Sequence, residues 1–67
     1  MQLGSYIKSR RENIELTQSQ LAEQTGLTQA AISQYETGER EPGFQQFIKL
    51  CEVLGMQASD FMEGEKE

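Results

Sequence analysis

Four residues near the middle of the chain, Gln29, Ala30, Ser33 and Gln34, bring together two amides, a hydroxyl and a methyl group. At helical spacing they share one face, while Ala31, Ile32 and Tyr35 take the other. The outer face carries hydrogen-bond donors and acceptors but no charge. A glutamine amide can pair with N6 and N7 of adenine, and an alanine methyl can touch the methyl of thymine. Each good bidentate pair discriminates between bases by roughly 1–3 kcal/mol. The alternative is a plain solvated face, although such faces usually carry lysine and glutamate. From Gln18 to Tyr35 the only charged residue is Glu23.

A face of this kind must be held clear of the rest of the chain. Thr17 has the character of an N-cap, with Gln20 placed to complete a capping box, so a short helix is expected over 18–25. Gly26 ends it, because glycine takes the left-handed conformation without a Cβ clash. Thr28 caps the next helix, expected over 29–36, and Gly38 stops it. The turn between the two is too tight for antiparallel packing, so the helices must cross steeply. Ala22 supplies the small residue at the crossing and Ile32 the apolar plug, with Leu21, Leu27 and Tyr35 around them.

The flanking elements complete an all-α chain. Leu3, Tyr6, Ile7, Arg10 and Ile14 repeat at helical spacing over 3–14. Residues 38–43 form a polar loop ending in Pro42-Gly43. A fourth helix is expected over 44–54, with Phe44, Phe47, Cys51 and Leu54 inward, and a short fifth over 58–62, held by Phe61. Residues 1–62 then form one domain, and 63–67 a frayed acidic tail.

Composition excludes several classes of function. With 67 residues and no histidine, the chain has neither an evident nucleophile–base pair nor the length for a substrate cleft, so no enzyme is expected. One cysteine, Cys51, permits no internal disulfide and no Cys/His metal site. It reads as a small core residue in a reduced, cytoplasmic setting. No apolar run approaches a membrane span, and no metal, cofactor or small-molecule ligand is implied. The net charge of −5 opposes nucleic-acid binding at first sight. The acid, however, concentrates away from the middle of the chain, and Lys8, Arg10 and Arg11 give the N-terminal stretch a basic balance.

Taken together, these motifs resemble the lambdoid phage repressor and Cro type of helix-turn-helix, the XRE family. The matching residues are Leu16-Thr17-Gln18, Leu21-Ala22, Gly26, Ile32-Ser33, Glu36, Gly38, Pro42, Phe44, Phe47 and Leu54-Gly55. The resemblance implies a compact five-helix fold and sequence-specific duplex DNA binding by a transcriptional regulator, a repressor acting as a homodimer. It puts Gln29, Ala30, Ser33 and Gln34 on base-reading positions, and Gln18 where the start of the second helix touches a phosphate, as free N–H groups there favour. It pairs Arg11 with Glu36 beside the DNA backbone, a pair whose main role reads first as structural. Lys8, Arg10 and Arg40 are further candidates for phosphate contact, with solvated surface as the alternative for Lys8 and Arg10. Val53, Ala58 and Met62, apolar without a core role, are candidates for the dimer interface.

Three departures from the family pattern stand out. Its usually basic loop reads Glu39-Arg40-Glu41 here, which implies modest affinity and a shallow dependence on salt. Glu15 replaces a common glycine, so strain is expected there. Gly43 gives the fourth helix a weak cap. The acidic balance leaves an alternative open: a protein-interaction module of the same fold, such as an antitoxin or anti-repressor partner.

Overall fold

The computed structural model describes residues 3–57. They form four helices: α1 Leu3–Asn13, α2 Gln18–Thr25, α3 Gln29–Thr37 and α4 Phe44–Leu54. Five helices were expected, and four are found among the described residues. The fifth, over 58–62, and the acidic tail lie outside them.

Local chemistry sets most of the boundaries. The Thr17 hydroxyl accepts from the Gln20 N–H at 3.0 Å, and the Gln20 side chain accepts from the Thr17 N–H at 2.8 Å. Both halves of the capping box are present, so two otherwise orphaned donors are satisfied at the start of α2. Thr28 accepts from the Ala31 N–H at 3.1 Å and starts α3. Gly26, at φ 75°, turns the chain out of α2, and its N–H donates to the Ala22 carbonyl. Glu15 carries the strain expected of it, at φ 63°. α4 has no side-chain cap bond at Gly43.

The core forms where the helices meet. Ile7, Leu21, Ala22, Ile32, Tyr35, Leu50, Cys51, Leu54 and Met56 are buried together, and Leu27, Ala31 and Phe47 pack against them. α3 packs on both α1 and α2. Gly4 allows the closest approach, since a Cβ there would lie 2.5 Å from the Tyr35 carbonyl oxygen and 2.7 Å from that of Glu36.

Two expected core residues lie outside. Phe44 is 69% exposed. It is the first residue of α4, and a helical Cα–Cβ bond leans toward the N-terminus, so its side chain points off the end of the helix. Leu50, fully buried, fills the inner stripe instead, beside Cys51 and Leu54. Ile14 is 41% exposed because α1 ends at Asn13 and the chain reverses at Glu15.

Candidate nucleic-acid interface

The outer face of α3 is built by elimination. Ile32 and Tyr35 are spent on the core and Ala31 packs against it, so Gln29 and Ala30 stand exposed and Ser33 and Gln34 half-exposed. The wedge beneath them consists of Ala22 at the crossing and the fully buried Leu21 and Ile32. The buried Thr25 hydroxyl donates to the Leu21 carbonyl at 2.8 Å, so α2 runs into its corner with no orphaned polar group there.

Both outward amides have protein partners. Gln29 Oε1 accepts from the Ser19 hydroxyl at 3.1 Å, tying α3 to the first turn of α2. Gln34 Oε1 accepts from Arg40 Nη1 at 3.3 Å. Sequence reasoning missed both ties.

Arg11, Glu36 and Gln18 converge behind this face. Arg11 Nε donates to Glu36 Oε2 at 2.6 Å and Nη2 to Oε1 at 3.2 Å, a bidentate fork. Arg11 Nη1 donates to the Leu16 carbonyl at 2.7 Å, which satisfies the turn between α1 and α2. Gln18 Nε2 donates to Glu36 Oε1 at 3.0 Å. The two charged side chains are 10% and 3% exposed. The hydrogen bond to Glu36 raises the Arg11 pKa above its ordinary value, against the opposing effect of burial, so the guanidinium stays charged.

Of the other basic candidates, Lys8 stands exposed on α1. Arg10, expected at a phosphate, is engaged elsewhere: Nη2 and Nε donate to the Leu54 carbonyl at 2.9 and 3.3 Å. That carbonyl belongs to the last turn of α4, where the helix dipole favours a cation. Val53 is half-buried against the core, and Ala58 and Met62 lie outside the described residues.

Two short capped helices crossing at a glycine corner, with an amide-bearing outer helix, define a helix-turn-helix domain. The helix-turn-helix family model matches residues 7–61, and the chain belongs to that family. It is 32% identical over 59 residues to an uncharacterised HTH-type transcriptional regulator, YqaE of Bacillus subtilis, covering 88% of this chain and 51% of that protein. It is 29% identical over 63 residues to repressor protein C2 of Salmonella phage P22, covering 94% of this chain and 29% of that one. The chain thus spans about half or less of the curated relatives it matches. The crystal structure of the P22 c2 repressor in complex with a synthetic operator superposes with a TM-score of 0.82 at 30% identity, covering 85% of this chain and 86% of that one. No helix among the described residues is long and apolar enough to cross a membrane.

Proposed function

We propose that this chain binds duplex DNA sequence-specifically as a transcriptional regulator, a repressor, with α3 in the major groove. The observation that carries this is the uncharged outer face of α3, held away from the core by the Ala22–Ile32 wedge, in a fold shared with a repressor solved on its operator. Gln29, Ala30, Ser33 and Gln34 meet base edges. Gln18 and Lys8 approach phosphates, and the Arg11–Glu36 pair stiffens the junction that carries Gln18. The chain acts in the cytoplasm as a two-fold dimer, which sets two copies of α3 about 34 Å apart, one turn of DNA. Val53 and the segment beyond it supply the contact between copies.

A net charge of −5 favours a second reading, a module that binds protein through the same fold. Selection from a randomised duplex library at about 50 mM salt, where phosphate contacts are strong, separates the two. Enrichment of a two-fold symmetric site supports the first. No retention of any duplex overturns the first and favours the second.

A further inference from the structure

The outer amides of α3 are not equivalent in how they are held. Arg40 is anchored to Gln34 twice: its N–H donates to the Gln34 carbonyl at 3.2 Å, and its guanidinium donates to Gln34 Oε1 at 3.3 Å. The main-chain bond sets Arg40 beside Gln34, which brings the guanidinium within reach of the amide. Among the described residues, neither flanking carboxylate, Glu39 or Glu41, forms an ion pair with Arg40. A guanidinium has donors only, so the end of the amide it holds must be the oxygen. A serine hydroxyl can donate or accept, so the Ser19 contact leaves Gln29 free to turn its amide over.

Resting on the DNA-binding reading, we infer that Arg40 is a positioning residue that sets the base preference of Gln34. With its oxygen tied toward the loop, Gln34 meets the groove through its two N–H donors. Adenine offers an acceptor at N7 beside a donor at N6, and so needs the amide oxygen as well as the nitrogen. Guanine offers two neighbouring acceptors, N7 and O6, and suits a donor-only partner. Gln34 therefore selects guanine over adenine, whereas Gln29 retains both options. Arg40 acts on the choice of base through Gln34, without itself touching base or phosphate.

The test uses the full chain and four duplexes that differ only at the base pair facing Gln34. That pair is identified as the position whose preference disappears in Gln34→Ala. Fluorescence anisotropy should show wild type favouring guanine over adenine by roughly tenfold, within the range of one base contact. Arg40→Ala should abolish or reverse that preference, leaving the other positions and the salt slope unchanged. Arg40→Lys, which keeps a donor-only group, should restore part of it. Thermal melts by circular dichroism confirm that each variant is folded. The inference is overturned if Arg40→Ala keeps the preference, if wild type favours adenine, or if all four duplexes weaken equally with a salt slope lower by about one, the mark of a phosphate contact. A wild-type chain that binds no duplex overturns the DNA reading itself, and this inference with it.

Discussion

Replacing Glu36 by alanine strips a buried guanidinium of its bidentate partner. Arg11, 10% exposed, would keep the Leu16 carbonyl at 2.7 Å and a distant Glu12 carboxylate at 3.9 Å. Breaking a buried pair from one side costs about 3–5 kcal/mol, because the remaining charge stays desolvated. A chain of 67 residues has on the order of 3–10 kcal/mol of stability in all. Glu36→Ala should therefore lose between about a third and all of that stability. In urea, at about 1 kcal/mol per molar for a domain of this size, the midpoint should fall by about 3–5 M. Replacing both partners, with Arg11→Met and Glu36→Leu, removes the charges together and should recover most of the loss. The double variant would nevertheless bind DNA poorly, since Gln18 loses the carboxylate that orients it. Urea melts followed at 222 nm, with binding measured on the folded double variant, read both effects. A loss below about 1 kcal/mol for Glu36→Ala, the worth of an exposed pair, would refute the reasoning. So would a double variant as unstable as the single one.

Other substitutions probe separate contacts. Gly4→Ala would drive a Cβ to 2.5 Å from the Tyr35 carbonyl oxygen, so α1 and α3 must separate; about 1–3 kcal/mol should be lost in a thermal melt. Gly26→Ala meets no atom within 4 Å, so its cost should be conformational alone, about 1–2 kcal/mol from the left-handed φ of 75°. Arg10→Ala should lower stability by about 1–2 kcal/mol through the lost bonds to Leu54, with no change in the salt dependence of DNA binding; a phosphate contact would instead lower the slope by about one.

The middle of the fold was legible because its punctuation is chemical and local. Thr17 with Gln20, Gly26 and Thr28 each act on backbone groups a few residues away, so the expected bounds of α2 coincide with those observed. The bounds of α4 were equally plain from Gly43 and Gly55. The misplacement of Phe44 arose because periodicity assigns a stripe but ignores that the first residue of a helix points past its end. The engagement of Arg10 was not legible because its partner, the Leu54 carbonyl, lies 44 residues away, and backbone acceptors leave no mark on a sequence. Gly4 stands inside a helical pattern, where a glycine costs stability, but its role at the contact with α3 shows only in the fold. The ties of Ser19 and Arg40 to the two glutamines depend on how the helices cross and how the loop leaves α3, so they were visible only in three dimensions.

The site preferences of wild type, Gln29→Ala and Gln34→Ala, selected side by side from one randomised duplex pool, most directly test whether α3 reads bases. Each variant should lose discrimination at its own base pair in both half-sites while the remaining consensus persists. An identical consensus from all three chains would show that these amides do not read sequence.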